Sequence, residues 1–189
     1  YSFYLELLRY YKQEHKFLLY HYCLMSNHIH LILETTPQTN LSRLMKQINL
    51  RYLYHFRRRY SYYGHLWQGR YKSLLIEKDS YLIACGRYIE RNPLRAGIVR
   101  KPEEYPWSSY AFYAYAKKNE LLDTDPLYQE LGSNDKERQL SYRRSIAKDT
   151  KLNLGLRFLG SHSFVEKMEE SFGVKNLKNR RGRPLKQNK

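Results

Sequence analysis

Cysteine is nearly absent. Only Cys23 and Cys85 occur in the 189 residues. Two thiols make no disulfide framework and their separation is not that of a metal site, which fits a reducing cytoplasmic setting. Long apolar runs are missing as well. None approaches the roughly 20 residues that a membrane-spanning helix needs, and no segment has the layout of a signal peptide. The sequence opens at Tyr1 rather than Met, and its true start is expected upstream. Acid is the third scarcity. Asp and Glu number 18 against 34 Lys and Arg, for a formal charge of +16. From Thr35 to Ile76 there is no acidic residue at all.

A charge of this size speaks of partners rather than of fold. Nucleic acid is the commonest polyanion, and a basic, merely soluble or ribosome-associated protein is the plain alternative. The acid-free stretch carries eight basic residues, Arg43, Lys46, Arg51, Arg57, Arg58, Arg59, Arg70 and Lys72, interleaved with aromatics such as Tyr54, Tyr60, Tyr63 and Trp67. A solvated face ordinarily mixes both signs. Bases stack on aromatic rings and phosphates pair with arginines, so the pattern suits single-stranded nucleic acid. Arg57, Arg58 and Arg59 are expected to grip phosphate, with Arg70 and Lys72 beside them. The 20 tyrosines weaken any argument from a single one.

Periodicity predicts helices over 3–14, 41–60, 79–92, 136–148 and 162–172, and strands over 16–25, 28–34 and 71–78. Asn40 or Thr39 is placed to cap the second helix, and Asp79 or Ser80 the third. Ser26 and Asn27 make a turn, so the first two strands form a hairpin. Pro93 ends the third helix near Asn92. Residues 93–130 show no clear period and predict short helices and loops. Strands and helices mix without a βαβ rhythm, which predicts an α+β fold with a mainly antiparallel sheet covered by helices. The tail from Lys175 has seven basic residues and no acidic one and reads as disordered unless bound.

His28 and His30 lie two apart on a predicted strand, so both rings leave one face and can meet one metal ion. Two sheet histidines with ordinary hydrogen bonds would look the same. On the helix SYLIACGRYIERN, a wheel groups Tyr81, Leu82, Ala84, Cys85, Tyr88, Ile89 and Asn92 on the inward side. Ile83, Gly86, Arg87 and Glu90 fall on the other. A buried Asn92 needs a polar partner. A metal ion would supply one, and so would nearby backbone at the helix end.

The blocks CLMSNHIHLILE, WQGRYKSLLIEKDSYL, RYIERNPLRAGIV and YPWSSY, in that order, resemble the REP-associated tyrosine transposases, in the single-tyrosine branch of the HUH nucleases. The resemblance spans residues 1–115, with 116–174 left as a helical extension and 175–189 as the basic tail. It implies a ferredoxin-like or RRM-like central antiparallel sheet flanked by helices; the family usually has a further strand ahead of the first helix, and the present sequence begins at that helix without it. It places the nucleophile at Tyr88 and the ligands of Mg²⁺ or Mn²⁺ at His28, His30 and Asn92.

The implied activity is cleavage and rejoining of single-stranded or hairpin DNA by transesterification. Tyr88 would take the 5′ phosphate and release a 3′ hydroxyl, with Arg87, Arg91 and Arg95 near enough in sequence to hold the strand. A DNA-binding module of the same fold without catalysis is the rival reading, and a metal-dependent hydrolase using water is a third. Monomer and homodimer are both compatible with the pattern. Arg181-Gly182-Arg183-Pro184 resembles an AT-hook core whose arginines enter a narrow minor groove. A plain basic tail adding nonspecific affinity fits those residues equally.

Overall fold

The computed structural model describes residues 1–146, 152–153 and 155–177, so the AT-hook-like Arg181 and Arg183 lie outside the described residues. The chain runs α1 (Ser2–His15), β1 (Leu18–Leu24), β2 (Ile29–Glu34), α2 (Leu41–Tyr60), β3 (Leu75–Ile76), α3 (Lys78–Glu90) and α4 (Asn92–Arg95). It continues through a 3-10 turn at Pro102–Glu104, α5 (Tyr110–Tyr115), a second 3-10 turn at Pro126–Leu131, α6 (Asp135–Ile146), β4 (Phe158–Leu159) and α7 (His162–Phe172). The fold is α+β, as expected.

β1 and β2 form an antiparallel hairpin, closed where the Met25 N–H donates to the His28 carbonyl at 2.9 Å. Their side chains alternate between two cores. Leu19, Tyr22 and Leu24 of β1 join Tyr4, Leu7, Leu8 and Tyr11 of α1 and Leu44 and Ile48 of α2, with Ile29, Leu31 and Leu33 of β2 packed alongside. Cys23 and Ile32 face the other way and pack on Leu82, Cys85 and Ile89 of α3. Helices therefore cover both faces of the hairpin. A bulge falls between Leu19 and His21, which pair with Leu33 and Ile32. The extra residue, Tyr20, keeps Tyr20 on the α3 side and returns Leu19 to the α1 side. A one-residue insertion has this effect because side-chain direction alternates with period two.

The other edge of β1 is not free. Trp107 and Ser109 reach it through backbone bonds, Leu24 N–H to Trp107 O at 2.9 Å and Ser109 N–H to Tyr22 O at 3.0 Å. The YPWSSY block thus completes the sheet with a single bridge, Cys23 to Ser108. Tyr105 adds a hydroxyl bond to the Leu24 carbonyl at 2.5 Å.

Two expectations need correction. The strand over 71–78 shrinks to Leu75–Ile76, and it joins β4 in parallel, not the hairpin. The third helix begins at Lys78, so Glu77 stands at the N-cap position expected for Asp79 or Ser80. The Glu77 carboxylate instead accepts from the Ser161 N–H (2.6 Å) and the Ser161 hydroxyl (2.8 Å). A distant segment thereby fixes the start of α3. The second helix spans 41–60 as expected, and of its two candidate caps Asn40 serves, accepting from the Arg43 N–H at 2.9 Å.

Burial raises both thiols, Cys23 and Cys85, to about 12. A thiolate is the reactive form, so neither thiol should react with a disulfide reagent at pH 8 in the native protein. Two equivalents should appear on denaturation in guanidinium. Rapid native labelling of either cysteine would contradict the packing between β1 and α3.

Candidate active site

The hairpin places the two histidines as the spacing predicts. His28 stands at the end of the turn and His30 in β2. Their rings lie edge to face with centroids 4.8 Å apart. His28 Nδ1 bonds to the Asn27 side-chain oxygen at 2.6 Å, which orients that ring and leaves Nε2 for another partner. His30 is paired across the ladder with Cys23. Directly opposed residues share a face, so His30 stands on the side where Cys23 meets α3. Burial, with a smaller contribution from His28, lowers His30 to about 4. Its imidazole is neutral at physiological pH, the form that binds metal.

Tyr88 is half-buried and packs against the same core as Cys23, Ile32 and Cys85. The Arg95 guanidinium lies 4.8 Å from the centre of the Tyr88 ring. Between α3 and α4, Arg91 keeps right-handed helical angles, φ −79° and ψ −12°. Its N–H still donates to Arg87 O at 3.1 Å, and the Arg95 N–H to Arg91 O at 2.9 Å. The turn is interrupted because Pro93 has no N–H to give. Asn92 thus follows Tyr88 by about one turn on a nearly continuous helix.

The Nδ2 of Asn92 is buried, and no hydrogen-bond partner for it is present among the described residues. Which amide atom is oxygen is an assignment, and a buried polar atom without a partner is costly. Two adjacent imidazoles, one of them neutral by burial, and the Asn92 carboxamide suit a divalent ion with nitrogen and oxygen ligands. The donor types fit the metal that the resemblance implies, while among the described residues no group of three or more His, Cys, Asp and Glu is gathered to hold an ion.

The arginines separate into two groups. Arg57, Arg58 and Arg59 end α2, and with Arg70 and Lys72 they are exposed. Tyr60, and above all Tyr63 at 93% exposure, stand beside them. Together with Ser61 and Gly64, Arg57, Arg58, Tyr62 and Tyr63 line an open recess. Arg87, Arg91 and Arg95 belong to the Tyr88 helix. Arg95 is exposed, Arg91 is half-buried, and Arg87 lies on the α6 side, near enough to act electrostatically on Tyr142.

The helical wheel misplaces one side of α3. Ile83, Gly86 and Glu90, expected away from the core, are buried, because α5 and α6 cover that flank. Ile83 packs with Tyr110, Tyr113, Tyr128 and Tyr142. Glu90 is 1% exposed and His21 is fully buried. His21 donates from Nδ1 to Glu90 and from Nε2 to Asp125, each at 3.0 Å. Glu90 also accepts from the Ser109 hydroxyl and from the Tyr142 hydroxyl at 2.7 Å. The second Asp125 oxygen accepts from the Leu127 N–H at 2.8 Å. The imidazole stacks on Tyr113 with centroids 4.5 Å apart. Sequence reading missed this cluster. The available signal was Gly86, a glycine inside a helix, where a Cβ would stand 2.4 Å from the His21 ring.

The sequence model of the family described as "Transposase IS200 like" matches residues 1–92. The match runs from α1 to Asn92 and takes in His28, His30 and Tyr88. No curated protein matches the chain, and no solved structure does.

Burial opposes the charge on His21, but the hydrogen bonds and charges of Asp125 and Glu90 prevail and raise its pKa above 6.5. A raised folded value means that the native state holds the proton more tightly. The stabilisation is therefore complete below the unfolded value and is lost as pH rises through the folded one. The stability gap between the parent chain and His21→Gln, measured by urea unfolding, should be largest below pH 6.5 and should shrink in alkaline solution. A gap constant from pH 6 to pH 10 would mean that His21 is not held as a cation.

Proposed function

Since the chain belongs, over residues 1–92, to the IS200-like transposases, we propose that it cuts and rejoins single-stranded DNA at a hairpin element, with Tyr88 as the nucleophile. The observation that carries the proposal is the placement of Tyr88 and Asn92. They lie one turn apart on a helix packed against the sheet face that bears His30, and the Asn92 Nδ2 has no hydrogen-bond partner among the described residues.

His28, His30 and Asn92 would hold the divalent ion, Mg²⁺ or Mn²⁺, and when bound it would act as a Lewis acid on a non-bridging phosphate oxygen. The Tyr88 oxygen attacks phosphorus and its proton leaves as that bond forms. The bond from phosphorus to the 3′ oxygen breaks, and that oxygen takes up a proton as the free 3′ hydroxyl. The phosphoester is conserved on Tyr88, so rejoining reverses the step without an energy source. Arg95, over the Tyr88 ring, favours negative charge developing on the phenol. The His28 and His30 rings lie beside each other, with centroids 4.8 Å apart. Arg57, Arg58, Arg59, Arg70 and Lys72, with Tyr60 and Tyr63, provide phosphate contacts and stacking surfaces for the unpaired strand.

Incubation with labelled single-stranded hairpin DNA and Mn²⁺ should yield an adduct that survives a denaturing gel. Tyr88→Phe should abolish it while DNA affinity stays within about twofold. Tyr81→Phe, on the same helix, should behave like the parent. Asn92→Ala should cleave poorly and be partly rescued by raised Mn²⁺, which cannot rescue Tyr88→Phe. An undiminished adduct from Tyr88→Phe would sink the nucleophile assignment. DNA binding with neither adduct nor cleavage would favour the binding module, and cleavage without an adduct would favour a water nucleophile.

Replacing Arg57, Arg58 and Arg59 together by Gln should weaken single-strand binding and flatten its salt dependence. The log–log slope should fall by up to about 0.7 for each phosphate that no longer meets an arginine. An unchanged slope would remove these arginines from the interface.

A further inference from the structure

The family match ends at Asn92, yet the helix carrying Tyr88 and Asn92 is held by residues well beyond it. Glu90 lies between the two in sequence. At about 100° per residue, its side chain leaves α3 on the flank roughly opposite both of theirs. That rear flank is tied to three elements at once, by His21 of β1, by Ser109 at the start of α5, and by Tyr142 of α6. His21 is held in turn by Asp125. Asp125 itself is fixed by the Leu127 N–H and by its own N–H, which donates to the Tyr113 hydroxyl at 3.1 Å. Gly86 allows the helix to approach the His21 ring with nothing between them.

This hold sits where the helix is weakest. Pro93 removes the hydrogen bond that would carry α3 into α4, so Asn92 needs an external tether to stay in line with Tyr88. We infer that Asp125 and Tyr142 are positioning residues for the reaction, acting through His21 and Glu90 to set the rotation and height of the Tyr88–Asn92 helix. The inference rests on the reading of Tyr88 as nucleophile. It makes the 3-10 turn at Pro126–Leu131 and α6 part of the catalytic unit rather than an appendage. A misplacement of about 1 Å at a reacting group costs about a hundredfold in rate, so a loosened tether is felt in chemistry before it is felt in binding.

Tyr142→Phe tests this with little disturbance. It removes one hydroxyl from Glu90 and keeps the ring that stacks on Tyr113. Asp125→Asn is the second variant, should the first fail to fold. Each full-length chain is compared with the parent for cleavage of labelled hairpin DNA under single turnover at saturating protein. Mn²⁺ is titrated, DNA affinity is measured separately, and amide hydrogen exchange is followed over residues 83–95.

Exchange over 83–95 should quicken and the rate constant should fall by about ten- to a hundredfold. The Mn²⁺ midpoint should rise, and DNA affinity should stay within about twofold. A rate constant per folded molecule equal to the parent's overturns the inference, whether or not exchange quickens, because the cluster would then serve stability alone. Unchanged exchange together with a slow rate also overturns it, since the helix would not have moved. A Tyr88→Phe chain that still forms the adduct brings down the nucleophile reading instead, and this inference with it. The exchange data are independent of that failure and distinguish the two.

Discussion

A buried histidine between two carboxylates organises this protein. Removing one partner from a buried charged pair costs about 3–5 kcal/mol, because the other is left uncompensated. Here His21 stands between Glu90 and Asp125, and two hydroxyls and a backbone N–H satisfy the remaining acceptor positions. Three donors, from β1, the start of α5 and α6, meet on Glu90 of one helix, and a 3-10 turn holds Asp125 behind His21. The cluster is therefore less a local ornament of the core than the joint at which α3, the sheet and the later helices agree on a common geometry.

The rest of the layout follows from what surrounds that joint. His21 faces α3, in step with Cys23 and Ile32, while the bulge at Tyr20 lets Leu19 return to the α1 core. The same face carries His30. A second tie secures the front of α3, where Lys78 pairs with Glu34 of β2 at 2.8 Å. That contact and the Tyr20 hydroxyl keep the Glu34 carboxyl below its usual value. The beginning of α3 is thus pinned by Glu77 and Lys78 and its end by Glu90. Between the two lies Tyr88, packed along one side and open to Arg95.

Much of this was legible from sequence where the signal is local. Asn40 before a 20-residue amphipathic run marked α2, the alternation from Ile29 to Leu33 marked β2, and the block RYIERNP marked the helix of Tyr88 and Asn92. What escaped was built from distant pieces. His21 and Asp125 are 104 residues apart, and each is an ordinary residue in its own window. Glu90 reads as solvent-facing on a wheel because a wheel knows one buried side, and α3 has two. The pairing of β3 with β4 is only two residues long and parallel. No run of alternating residues can announce it.

The two covered faces of the hairpin also divide the surface. The arginines at the end of α2 belong to the layer on one face, and Tyr88 to the layer on the other. A polynucleotide held by both would have to pass from one layer to the other. Duplex DNA keeps its direction over about 150 base pairs and cannot make that passage cheaply, whereas an unpaired strand bends freely. Choice between the two forms of DNA is in that case a matter of route. If the proposed roles hold, an unpaired strand gripped by those arginines would reach Tyr88, and a stiff duplex gripped by the same arginines would not.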